Sequence, residues 1–169
     1  MSDGIVNRIA KSKLKTIDLS EYKPNIKIHS IDIKDFLYSS LILKEVFFRK
    51  KLDEFDFKFY RNCIIALHCS AETIIPMWSY MLITSRLELE NGIVYFGDEQ
   101  FVEETLFINE VKKIDGKKFK EQSVLVNGCS NVKIPESIYI EITKKLHPYV
   151  KNLMFGEACS FVPVFKRKK

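Results

Sequence analysis

The chain is predicted to be an α/β protein, a three-layer sandwich with a mainly parallel sheet and helices on both faces. Three observations lead there. Cys63–Leu67 is an unbroken apolar run of strand length, the pattern of a strand covered on both faces. Pro76 and Pro135 each follow such a run at short distance, and a residue without an N–H is tolerated only in the first turn of a helix. From Arg61 onward, strand-like and helix-like segments alternate, which argues for crossover connections between parallel strands.

In chain order, Ile26–Ile31 alternates loosely and is expected as an edge strand bounded by Pro24 and Asp32. Asp35–Tyr38 is expected as a short helical turn. Phe48, Leu52 and Phe55 recur at helical spacing between charges and predict a helix within Lys44–Phe55. After the strand Ile64–Leu67, a helix is expected over about Ile74–Leu87, then a strand Ile93–Phe96 ending at Gly97-Asp98. A helix over Glu99–Val111 and a polar turn around Asp115-Gly116 lead to the strand Ser123–Val126. The helix opened by Pro135 carries Ile138, Ile142 and Leu146 and precedes the strand Lys151–Gly156. Pro163 confines Phe161–Phe165 to an edge strand or a packed tail. One α/β domain over 1–169 is expected, with a less regular lead-in (1–60), an alternating core (61–165) and a basic tail (166–169).

The composition, 46% hydrophobic and 29% charged, is that of an ordinary globular protein. Of the net charge of +5, the tail Lys166-Arg167-Lys168-Lys169 supplies most, which leaves a nearly neutral body. No basic stripe interleaved with stacking aromatics is visible, so a nucleic-acid partner is not expected. No apolar run has the length of a membrane span and the N-terminus lacks a signal-peptide pattern, so a cytoplasmic protein without a membrane partner is expected. Four cysteines in such a chain are read as reduced thiols, either buried as small hydrophobes or available for chemistry.

Three of the four stand in Cys-Ser pairs behind strand-like runs: Cys69-Ser70, Cys129-Ser130 and Cys159-Ser160. If those strands are parallel members of one sheet, Cys69, Cys129 and Cys159 share its carboxyl edge, where open α/β folds place ligands. Three thiolates suit a divalent metal or an iron–sulfur cluster with a fourth position open, for which Glu157, Asp98 and the hydroxyls of Ser70 and Ser130 are candidates. His68 leaves the strand on the other face from Cys69 and fits that role less well. The alternative is a non-enzymatic interaction or scaffold protein with structural cysteines. A thiol-dependent enzyme using Cys69, placed just before an expected helix N-terminus, is a third reading. His68-Cys69-Ser70-Ala71 resembles the start of a tyrosine-phosphatase loop, but Ile75 stands where that loop needs Arg, and Glu72 would repel phosphate. The Cys-to-Pro spacings differ between the Cys-Ser units, so an internal duplication is not inferred.

The run His68–Trp78, the turn Asn127-Gly128-Cys129-Ser130 and the stretch Phe155–Ser160 are similar to the bacterial domain-of-unknown-function family 2480. Ile5-Val6-Asn7-Arg8 and the Lys-rich end fit as well, so the resemblance spans nearly the whole chain. The resemblance implies no established activity. Through the proximity of such genes to those of iron–sulfur cluster assembly, it implies iron–sulfur assembly proteins as partners and favours the thiolate reading.

Overall fold

The computed structural model describes residues 14–128 and 132–168. Its strands form two sheets, and the chain divides into two compact units. One is continuous, Asn25–Thr105; the other joins Met1–Pro24 to Leu106–Lys169.

The continuous unit holds β2 (Ile28–Asp32), α1 (Glu45–Asp53), β3 (Ile64–His68), α2 (Met77–Glu88) and β4 (Ile93–Phe96), with its strands parallel in the order β2-β3-β4. The central strand carries Ile65, Ala66 and Leu67, all buried, as its unbroken apolar run requires. Phe48 and Leu52 of α1 and Ile83 and Leu87 of α2 close the core at helical spacing. Burying each such side chain stabilises by about 1.5–3 kcal/mol.

The discontinuous unit holds β1 (Leu14–Asp18), β5 (Ser123–Asn127), α4 (Glu136–Leu146), β6 (Asn152–Glu157) and β7 (Ser160–Lys166). The order is β1-β5-β6-β7, with the first three strands parallel and β7 antiparallel on β6. Val124, Leu125 and Val126 are again all buried at the centre. α3 (Glu99–Lys112) spans the unit boundary, and its Phe107 and Val111 belong to this core.

The two units repeat one plan. A constant spacing of 59 residues takes Asp56 to Asp115, Pro76 to Pro135, Tyr80 to Tyr139, Ile83 to Ile142, Thr84 to Thr143, Leu87 to Leu146 and Phe96-Gly97 to Phe155-Gly156, without a gap. The hydrogen bonds repeat with the residues. Asp56 and Asp115 accept from the N–H groups of Lys58 (3.1 Å) and Lys117 (3.0 Å). Asn62 and Glu121, both with positive φ, donate their N–H to the carbonyls of Glu90 and Tyr149, each at 3.0 Å. The first strand of each unit repeats at a different spacing: Asp18 and Asp32 end β1 and β2 and cap the 3-10 turns Leu19–Tyr22 and Ile33–Phe36. The second repeat thus lies inside the first, between β1 and α3.

Most expected elements are present, including the edge strand β2, the helix α1 and the edge strand β7. Three expectations change. The single sheet is replaced by two. Leu14–Asp18, in the supposed lead-in, is a full strand. The helices start at Met77 and Glu136, with Pro76 and Pro135 in extended conformation at the cap position rather than inside the first turn. A residue preceding proline is disfavoured in the helical region, which keeps Ile75 and Ile134 out of the helix.

Gly97 and Gly156 have φ of +126° and +120°, a region costly for any other residue. A Cβ on Gly97 would also stand 2.6 Å from Phe101 Cδ1, and one on Gly156 2.7 Å from the Ser160 carbonyl oxygen. Gly97→Ala and Gly156→Ala are each expected to destabilise by about 1–3 kcal/mol, read as a lower urea midpoint at unchanged m-value.

Candidate functional site

At the carboxyl edge of the continuous unit, β2 ends on Asp32 opposite His68, the last residue of β3. The Asp32 carboxylate accepts from the N–H of Lys34 (2.9 Å) and of Ser70 (3.0 Å), tying the turn after β3 to the end of β2. Partial burial pushes the Asp32 carboxyl up. The Ser70 side chain, the two N–H groups and the nearby His68 outweigh that and hold it below its ordinary value. His68 Nε2 lies 3.0 Å from Ser30 Oγ. Cys69 is half-buried, with its Sγ 3.8 Å from the Ala71 carbonyl oxygen. Burial raises the Tyr80 phenol, with Cys69 and Asp32 adding to the effect. Asp32 therefore serves as a fastener for the Cys69-Ser70 turn. α2 begins only at Met77, so the helix end expected beside Cys69 is not adjacent to it.

The equivalent edge of the discontinuous unit pairs Asp18 with Asn127. Asn127 Nδ2 lies 3.5 Å from Glu157 Oε1, and burial together with Asp18 raises the Tyr139 phenol. Cys159 is exposed in the turn between β6 and β7. Cys129 and Ser130 lie outside the described residues.

Beside each edge lies an apolar groove between the second helix and the third parallel strand. In the continuous unit it measures about 560 Å³, with Tyr80, Met81, Val94 and Phe96 among its walls. In the discontinuous unit it measures about 470 Å³, with the equivalent Tyr139, Leu153 and Phe155 and, in addition, Val162 and Val164 of β7. The wall pair repeats in detail: Tyr80 meets Phe96 edge-on at 5.8 Å, and Tyr139 meets Phe155 edge-on at 5.6 Å. β7 covers the edge of β6, whereas among the described residues no strand pairs with the outer side of β4. In and beside that groove Phe96 is 71%, Met81 72% and Met77 69% exposed.

The residues singled out from the sequence are distributed over both units. Cys69, Ser70 and Asp98 belong to the continuous unit, just after the ends of β3 and β4, where Asp98 accepts from the Phe101 N–H at 2.8 Å and caps α3. Glu157 ends β6 of the four-stranded sheet and Cys159 lies in the turn after it, while β5 of the same sheet leads to Cys129. The three Cys-Ser pairs thus follow, along the chain, strands of two sheets rather than one. Among the described residues no group of three or more His, Cys, Asp or Glu side chains is arranged to hold a metal ion. His29 packs edge-on against Phe59 and Tyr60, and His147 caps α4 with its ring 4.2 Å from Phe165. The groove residues Tyr80, Met81 and Phe96 escaped the sequence reading; the constant spacing that maps Tyr80 and Phe96 onto Tyr139 and Phe155 was the signal for them.

The fold and these paired grooves define an α/β protein of two like units. Over residues 3–167 the chain matches the family described as protein of unknown function DUF2480, and it belongs to that family. No curated protein and no solved structure matches it. No helix of the described residues is long and apolar enough to cross a membrane.

Because the Asp32 carboxyl is held below its unfolded value, its contribution to stability is present above about pH 4 and is lost as the pH falls through the lowered folded value. Asp32→Asn is expected to lower the urea midpoint at neutral pH and to reduce the further loss that the parent shows as the pH falls below about 4. Iodoacetamide should modify exposed Cys159 faster than half-buried Cys69 in the folded chain, a difference that mass spectrometry of timed samples reads and that urea should abolish.

Proposed function

We propose that this chain is a non-enzymatic interaction protein whose binding face is the β4 edge of the continuous unit with its adjoining groove. One observation carries this: the equivalent strand edge in the other unit is paired by β7, while among the described residues no strand pairs with the outer edge of β4 beside its groove. A contiguous exposed apolar patch beside an unpaired strand is the surface that partners use. The polar groups nearby suit a structural role, since Asp32 is held by hydrogen bonds and Cys69 lies against the Ala71 carbonyl. The competing reading is a divalent metal or iron–sulfur site built by Cys69, Cys129 and Cys159 with Glu157, Asp98, Ser70 or Ser130, in a partner of iron–sulfur assembly.

The two readings separate in one experiment. A photoreactive residue in place of Met81 should give a discrete adduct in cells, and the same residue in place of Ile140, its equivalent in the other unit, should not. The adduct's protein, purified, should bind the chain without any metal. The interaction reading fails if Met81 and Ile140 behave alike while anaerobically purified chain carries iron and sulfide that Cys69→Ala removes.

A further inference from the structure

The repeat offers a template for what occupies the open groove. In the discontinuous unit, β7 lies antiparallel on β6, with Phe155 opposite Val162 and Leu153 opposite Phe165. Val162 and Val164 supply apolar contacts to the groove. Three residues beyond Val164, the Arg167 guanidinium closes over the end of α4, donating to the carbonyls of His147 (3.0 Å), Pro148 (2.9 Å) and Val150 (3.2 Å). A cation there also meets the negative end of the helix.

At the constant spacing, the corresponding end of α2 carries Glu88, Leu89 and Asn91. Glu88 is exposed and replaces His147, so this end is more acidic than its template. Asp98 and Glu99 flank the other end of β4, which leaves an apolar strand, Ile93–Phe96, between acidic residues.

We propose that this groove takes an extended segment of a partner protein that carries the pattern of β7: two apolar residues separated by one position, then an arginine three residues on. The segment lies antiparallel to β4, with its arginine over the carboxyl end of α2 beside Glu88. Backbone pairing along β4 supplies affinity, and the apolar pair and the arginine supply selectivity. This rests on the interaction reading above and narrows it to one chemistry.

The probe is the chain's own terminal sequence, a synthetic Ser160–Lys169 peptide, titrated into the full chain. Hydrogen exchange should slow at Ile93–Phe96, and Phe96→Lys and Glu88→Lys in the chain should each weaken binding about tenfold or more. Both side chains are exposed, and unchanged exchange protection at Ile65–Leu67 verifies that the variants are folded. A peptide with Arg167→Ala should also bind less tightly. The proposal is overturned if the peptide protects Leu153–Gly156 instead, displacing β7, or if neither variant affects it. It is equally overturned if the chain alone dimerises with protection of β4 that Phe96→Lys removes, which assigns the face to a second copy. If the peptide does not bind while the Met81 adduct forms, the strand chemistry is wrong and the interaction reading stands.

Discussion

Each unit depends on three consecutive residues that are buried on both sides of a strand. Ile65-Ala66-Leu67 and Val124-Leu125-Val126 are shielded almost completely. Such a strand can be stable only when neighbours on both edges take its backbone hydrogen bonds and side chains cover both faces. β2 and β4 flank the first run, β1 and β6 the second. The aspartates that end β1 and β2 then turn the chain with their own side chains, and the asparagine or histidine opposite completes the same edge.

The elements after residue 60 were legible because their cues are local. Apolar runs, paired prolines and the Gly97 and Gly156 breaks mark strands and helices without reference to anything distant. β1 was not legible: Leu14-Lys15-Thr16-Ile17-Asp18 is too polar to stand out, and its partner Ser123–Asn127 is far along the chain. The cysteines mask the duplication, because their positions do not follow it. In the true register Cys69 faces Gly128, one place short of Cys129, and Cys159 falls beyond the repeated stretch. Aligning Pro76 with Pro135 and Tyr80 with Tyr139 reveals what aligning thiols conceals. The Cys-Ser pairs are therefore not a property of the repeated plan, and the groove, which is, lacked any residue type that announces chemistry.

The units part company at one position, immediately after the shared glycine. Asp98 accepts the Phe101 N–H and starts a helix, whereas Glu157 leads into a tight turn and a returning strand. One edge is consequently covered, and among the described residues no strand covers the other. The covering strand is itself protected on its outer side by Pro163 and a basic end, devices that discourage further pairing. β4 has only its short length and its acidic flanks for that purpose.

Nesting one unit within the other also sets an order of events during synthesis. Leu14 pairs with Ser123, so β1 leaves the ribosome about a hundred residues before its neighbour exists. At roughly 5–20 residues per second this is a wait of about 5–20 s, during which every strand of the continuous unit has become available. The inserted unit can therefore close from local contacts while the outer one still lacks its central strand, and β1, the first strand made, finds its partner only after every strand of the inserted unit has emerged.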